Sequence, residues 1–174
     1  MYIAITRQRL AKVDQENLKK KIAAWQETQD DFYHFRPLLD PENKENIKEE
    51  DDDDDVADDV EEIVPDDGSS CQGLLFVHQS KWQQRLLQRY GNELCLLDAT
   101  YRTTKYSLPL FFLVVKTNVD YKVVASFVIQ SETAQAIKEA LEVVKSWNPS
   151  WLPKHFMVDF ALEEINAVEE LFSG

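Results

Sequence analysis

The sequence has little cysteine, little glycine and no long apolar run, and each shortage excludes a class of protein. Its two cysteines, Cys71 and Cys95, are far apart in the chain, which argues against a disulfide framework and fits a reducing compartment. The longest apolar run, Leu108 to Val115, has eight residues, which is too short to cross a membrane. The start of the chain lacks the apolar core of a secretory signal. The four glycines form no phosphate-binding loop. We therefore expect an intracellular protein that does not enter a membrane.

The chain also has no excess of basic charge. Its formal net charge is -13, but thirteen acidic residues lie between Glu49 and Asp67 with no Lys or Arg among them, and the rest of the chain carries nineteen charges of each sign. There is thus no overall basic field of the kind that draws a protein to nucleic acid. Residues 38–70 are predicted to be a disordered acidic linker, because they bury too little apolar surface to offset the entropy of ordering. Segment 49–67 either recruits a protein partner or is a solvating spacer.

Residues 1–37 are predicted to form a helical arm. Apolar residues recur at helical spacing between Leu10 and Trp25, with Asp14 as the expected helix cap. The run Lys19 to Lys21 is interpreted as a solvated helix face rather than a phosphate site. The aromatic cluster from Phe32 to Phe35 is expected to pack this arm onto the main body.

A short apolar segment from Leu94 to Leu97 leads directly into a single carboxylate, Asp98. Because glycine and asparagine precede it and polar residues follow Tyr101, it predicts a buried strand of an α/β sheet. Asp98 would lie at the carboxyl end of that strand, where open α/β sheets bind ligands. The alternative for Asp98 is a turn residue with no chemical role.

The surrounding pattern predicts three antiparallel strands and a helical crossover. A capping box starts a helix that leads into the Asp98 strand, and the runs Leu108 to Val115 and Tyr121 to Gln130 form a hairpin. A helix from Ser131 to Asn148 then precedes a last strand that ends at Asp159. Such crossovers are right-handed and local, so the last strand can return parallel beside the first. Asp98 and Asp159 would then meet at one edge of the sheet.

The final helix is predicted to be amphipathic. Its inward set is Leu162, Ile165, Val168 and Phe172, and its outward, solvated set is Glu163, Glu164, Glu169 and Glu170. Buried or rim positions are assigned to Cys95, Trp82, Trp147 and Trp151. His155 is interpreted as a surface residue, with a helper base as the alternative.

Two converging carboxylates repel each other unless a cation lies between them. Hard oxygen ligands without a nearby Cys and His pattern suit Mg²⁺ or Mn²⁺ rather than zinc. Such a pair can hold metal ions that stabilise the attacking and leaving oxygens of a displacement at phosphorus. The reaction class that this geometry would serve is phosphodiester hydrolysis or transesterification.

The segment from Leu96 to Tyr101, the hairpin, and the segment from Phe156 to Phe160 with its acidic helix together resemble the ribonuclease H-like catalytic core of Mutator-like element (MULE) transposases and of genes domesticated from them. The resemblance covers about Leu74 to Gly174. It implies an α/β fold with a ribonuclease H-like mixed sheet, in which strands 1, 2 and 3 are antiparallel and strand 4 is parallel to strand 1. This core would occupy residues 71–174 and be incomplete at its C-terminus.

The resemblance further implies a DDE-type transposase that acts on DNA in the nucleus with Mg²⁺ or Mn²⁺. Asp98 and Asp159 match the first two catalytic and metal-binding acids of that family. The family's third acid, a Glu after a Cys/His-containing insertion, would lie beyond Gly174, so we expect weak metal affinity and no strand transfer. Glu163 and Glu164 are the nearby substitutes for that acid, and they are interpreted instead as the solvated face of the last helix. Arg102 and Lys105 follow Asp98 closely and either contact a DNA phosphate or are solvent-exposed.

Two hypotheses of different classes follow. In the first, the chain is a transposase-derived protein whose family performs metal-dependent DNA cleavage and strand transfer, and it is inactive in this form. In the second, it is a non-catalytic domesticated module that binds DNA or protein, with segment 49–67 as its partner-recruiting tail. Cleavage that depends on Mn²⁺ and on Asp98 would separate the two.

Overall fold

The computed structural model describes residues 2–28, 31–38, 73–101 and 106–172. Four features of the sequence analysis lie outside these ranges. They are the predicted acidic linker from residue 39 onward, Cys71, and the two predicted DNA-contact residues, Arg102 and Lys105.

A mixed sheet organises the described residues. Its strands are β1 (Phe32–Arg36), β2 (Leu75–Gln79), β3 (Leu94–Thr100), β4 (Leu110–Lys116), β5 (Tyr121–Ile129) and β6 (His155–Met157). The helices are α1 (Tyr2–Thr28), α2 (Lys81–Tyr90), α3 (Ala134–Trp147) and α4 (Leu162–Phe172). The strand order across the sheet is β1-β2-β5-β4-β3-β6. In this part of the chain, the pair β3 and β6 is parallel and the other pairs are antiparallel.

The predicted fold class is confirmed. Strands β3, β4 and β5 form the expected antiparallel set, and the turn Thr117 to Asp120 closes the hairpin. Helix α3 is the crossover, and β6 returns parallel beside β3, with Leu94 paired to His155 and Leu96 to Met157. The side chain of Thr133 caps α3 by accepting a hydrogen bond from the backbone N–H of Ala136.

The aromatic segment after α1 joins the sheet, a result that the predicted boundary at residue 37 did not foresee. Phe32–Arg36 is the edge strand β1 and pairs antiparallel with all of β2. The Tyr33 ring stacks on His78 at 4.9 Å between centroids, and Trp25 of α1 stacks on the other side at 5.6 Å. These aromatic residues fit a pleated, half-buried surface, which explains why they form a strand rather than a loop.

The core lies between the sheet and the helices α2, α3 and α4. Alternate residues of β4 point inward, and Phe111 stacks on Phe127 of β5 at 4.9 Å. Helix α3 packs on β2 and β5, and α4 packs on α3. Cys95 is a buried free thiol, as predicted, and burial raises its pKa to about 12. Within the described ranges, no helix has both the length and the apolar character needed to span a bilayer.

The predicted cap of the first helix is wrong. Asp14 is not a cap, because α1 begins at Tyr2, and its carboxylate instead accepts a hydrogen bond from the Tyr106 hydroxyl. Trp82, for which a core or rim position was predicted, is 56% exposed, because the buried side of α2 centres on Leu87. The predicted capping box at Ser80 is present, with both reciprocal hydrogen bonds to Gln83.

Candidate functional site

The register between β3 and β6 brings the two predicted acids to the same edge of the sheet. Leu96 pairs with Met157. Asp98 lies two residues after Leu96, and Asp159 lies two residues after Met157. Neighbouring strands in a sheet are about 4.8 Å apart, so equivalent positions on them are close. Asp98 lies within β3, Asp159 follows the end of β6, and both are exposed. Their side chains are therefore accessible from solvent.

Glu164 lies near these two acids and is buried, not on the solvated face to which the sequence pattern assigned it. It is 1% exposed, and the backbone N–H of Asp159 hydrogen-bonds to its carboxyl group. Its second oxygen, Oε2, is buried and has no hydrogen-bond partner among the described residues. Conversely, Leu162, which was predicted to face inward, is 66% exposed.

The environment of Glu164 favours its neutral form. Burial raises its pKa to about 7, from an ordinary value of 4.5, and the negative charges of Asp159, Glu132 and Asp98 act in the same direction. The hydrogen bond from Asp159 opposes this shift without cancelling it. Asp98 and Asp159 therefore lie near enough to Glu164 for their charges to act on it.

Tyr101 and Glu132 complete the polar surroundings of the site. The Tyr101 hydroxyl donates a hydrogen bond of 2.7 Å to Oε1 of Glu132. That bond, with smaller contributions from burial and from the charges of Glu132, Glu164 and Asp159, raises the pKa of Tyr101 to about 12. Three carboxylates, from β3, the β5–α3 junction and the segment after β6, thus lie near enough for their charges to act on Glu164 of α4.

Glu132 was not predicted as a member of this group, and Glu164, a nearby substitute for the third acid, was predicted to lie on a solvated helix face. Glu132 directly precedes the cap of α3 and stands in no apolar pattern that would mark it. Glu164 carried a usable signal, since it shares a helical stripe with Ala167, Val168 and Leu171, all of which pack inward. A glutamate on the apolar stripe of a helix needs a polar neighbour in the interior.

His155 lies at the start of β6, away from the two acids, as expected for a surface residue. It is exposed, and its Nδ1 lies 3.3 Å from the carbonyl oxygen of Glu93. Its neighbour Lys154 forms an exposed ion pair of 2.7 Å with the same glutamate. Trp151 is fully buried and Trp147 partly buried, so both pack as predicted.

The carboxylate oxygens of the site are suitable ligands for a hard divalent cation, but the side chains are not arranged as a complete set of ligands. Among the described residues, no three His, Cys, Asp or Glu side chains are placed to hold one metal ion together. Carboxylate oxygens are nevertheless the ligands that Mg²⁺ and Mn²⁺ prefer, and the buried Oε2 of Glu164 lacks a partner in this part of the chain. Because Asp98 and Asp159 are exposed, their side chains are able to reorient.

Comparison with known families gives one match. The family model described as Zinc finger SWIM domain-containing protein 1/3, RNaseH-like domain, matches residues 53–174. The chain belongs to this family. Neither the curated proteins nor the solved structures that were compared gave a match. The RNaseH-like domain of this SWIM family agrees with the observed sheet, is related in fold to the core of MULE transposases, and supports a nuclease-like ancestry.

The matched residues include β2 to β6 and exclude α1 and β1. The SWIM family match thus begins within the predicted linker, before the predicted start of the core at residue 71. The N-terminal strand β1 adds to the RNaseH-like sheet from outside the matched region.

Proposed function

We propose that this domain descends from a MULE transposase and that the β3–β6 edge of its sheet binds DNA phosphodiester through a divalent cation, Mg²⁺ or Mn²⁺. The observation that carries the proposal is the parallel register of β3 and β6, which gives Asp98 and Asp159 equivalent positions at one edge. The RNaseH-like family match supports a nuclease-like ancestry for that edge. The nuclear location follows from DNA as the partner and is part of the same proposal.

Asp98 and Asp159 are the residues that would hold the cation. When bound, such a cation stabilises the charge that develops on the phosphodiester oxygens. The exposed Tyr101 lies beside the acids and, through its hydrogen bond, fixes the position of Glu132 at the rim. Arg102 and Lys105 follow directly in the chain and are proposed to contact the DNA backbone.

A second candidate function is a non-catalytic module that binds DNA or protein, with segment 49–67 as its recruiting tail. Three exposed apolar side chains beside the acids favour this candidate, namely Met157, Phe160 and Leu162, because exposed apolar groups are typical of binding surfaces. Under this candidate the fold is kept as a binding surface and the ancestral chemistry is lost.

A Mn²⁺-dependent assay on the full chain separates the two candidates. We expect Mn²⁺ to strengthen DNA binding, and we expect this effect to be lost in Asp98→Asn and in Asp159→Asn. Asp120→Asn is the matched control, since Asp120 is an exposed carboxylate in the β4–β5 turn, and it should behave as the wild type. DNA binding that neither Mn²⁺ nor Asp98→Asn changes would support the non-catalytic module.

A further inference from the structure

We propose that Glu164 is the third carboxyl ligand of this cation site, so that α4 supplies the acid that two strand ends alone do not. The inference rests on the proposed function, since it assumes a cation at Asp98 and Asp159. It differs from the expectation drawn from the MULE resemblance, which locates the third acid far downstream of these two.

The first support is the buried, unpartnered oxygen of Glu164. The residue is 1% exposed, and Oε2 makes no hydrogen bond within the described residues. No ion pair joins it to another residue in that part of the chain. Buried polar groups in proteins are hydrogen-bonded, and buried charges are paired or coordinate metals. A ligand at the sheet edge would supply the partner that Oε2 lacks.

The second support is the position of the carboxyl group close to the two other acids. It accepts a hydrogen bond from the backbone of Asp159, five residues earlier, because the chain turns from β6 into the first turn of α4. The charge of Asp98 also acts on it, although that residue belongs to a different strand. Glu164 is therefore shielded from solvent and lies near enough to Asp98 and Asp159 for their charges to act on it.

The third support is that repulsion between the carboxylates would keep the three acids apart when no divalent cation is bound. Like charges a few ångströms apart repel one another, and exposed side chains respond by turning into water. Asp98 and Asp159 are exposed and able to turn, whereas Glu164 is fixed by packing. A divalent cation would offset the repulsion and draw the two mobile carboxylates toward the fixed one.

Helix α4 offers a matched pair of variants for the test. Glu164→Gln and Glu163→Gln remove one negative charge each from adjacent positions of the same helix turn, but Glu163 is exposed. Mn²⁺ binding to the full-length chain would be measured by isothermal titration calorimetry, without DNA. We expect Glu164→Gln to weaken binding about tenfold or more and Glu163→Gln to change it less than twofold.

A third variant keeps the test decisive if Gln disturbs the packing around residue 164. Glu164→Asp keeps the charge but withdraws the carboxyl group by one methylene, and should weaken binding to an intermediate degree. Circular dichroism of each variant confirms the fold.

The outcomes distinguish the inference from the function on which it rests. Unchanged Mn²⁺ affinity in Glu164→Gln, together with a loss in Asp98→Asn, would overturn the role of Glu164 and leave the proposed function intact. A wild-type chain that binds no Mn²⁺ would overturn both.

Discussion

The two outer strands of the sheet differ in how they are held. Strand β1 pairs with β2 over five residues, and the guanidinium of Arg36 binds the carboxylate of Glu139 on α3 and donates a hydrogen bond of 2.9 Å to the carbonyl of Gly73. Strand β6 pairs with β3 over three residues and is followed at once by Asp159 and by Phe160, which is 99% exposed.

The difference indicates that the β1 edge stabilises the fold, whereas the β6 edge is the candidate site for ligand binding. At the β1 edge, charges are neutralised within the fold and aromatic rings cover the strand. At the β6 edge, a buried carboxyl oxygen has no partner among the described residues, and several apolar side chains are exposed, namely Met157, Phe160 and Leu162. Unpaired polar groups cost stability unless a ligand satisfies them, so they point to a functional region.

The largest change in the free energy of unfolding is expected from Trp151, which packs under strand β6. This side chain is 1% exposed, donates a hydrogen bond to the sulfur of Cys95, and packs against Phe156 and Phe172. Trp151→Ala should lower the free energy of unfolding by about 3 to 5 kcal/mol in urea denaturation. Trp82→Ala is the control, since Trp82 is 56% exposed, and should cost about 0.5 kcal/mol. Equal losses in the two variants would contradict the described core.

The next largest effect is a dependence of folding stability on pH, which comes from the titration of Glu164. Its folded pKa of about 7 lies above the ordinary value of 4.5, so the folded chain holds the proton more tightly between these values. The contribution to stability is therefore most favourable below pH 4.5, falls as the pH rises toward 7, and is constant above it. The full difference is on the order of 3 kcal/mol.

Glu164→Gln should remove this dependence, because the amide does not titrate. Urea denaturation at pH 5 and pH 8 without divalent cations, compared with wild type and Glu163→Gln, measures it. Glu163→Gln should retain the wild-type pH profile. The idea fails if wild type and Glu164→Gln lose stability equally between the two values.

A smaller effect is expected at the β1 edge. Arg36→Ala removes a partly buried ion pair with Glu139 and a hydrogen bond to Gly73, and should cost about 1 to 2 kcal/mol. Amide hydrogen exchange of β1 should accelerate while exchange of β6 stays unchanged. Lys154→Ala, which breaks an exposed pair with Glu93, should leave stability within error. Faster exchange at β6 in Arg36→Ala would show that the two edges are not independent.

Much of the fold was predictable because its signals are local. Two apolar runs around a short polar turn indicate the hairpin of β4 and β5. Apolar residues at helical spacing between a cap and Asn148 indicate α3. The parallel return of β6 followed from the handedness of crossovers. Strand β1 was not predicted, because its partner β2 lies about forty residues later and no local pattern shows that pairing.

The site was only partly predictable for a related reason. The approximate positions of Asp98 and Asp159 follow from the short apolar runs that precede them, although β3 continues for two residues past Asp98, which was predicted to end the strand. The rotation of α4 about its axis was not predictable from the sequence. This rotation is set by contacts with α3, including the hydrogen bond from Lys145 Nζ to the carbonyl of Leu171. Apolar residues occur on more than one side of α4, so the pattern placed Leu162 inward and Glu164 outward, the reverse of their burial.

The central claim is that the acids at the β3–β6 edge share a divalent cation. A crystal structure of the full chain grown with Mn²⁺, with anomalous scattering recorded at the manganese edge, tests it most directly. The account predicts one anomalous peak bounded by carboxyl oxygens of Asp98, Asp159 and Glu164, at distances of about 2.2 Å. A map without a peak there at saturating Mn²⁺, with the carboxyl groups of Asp98 and Asp159 turned away from each other, would contradict it.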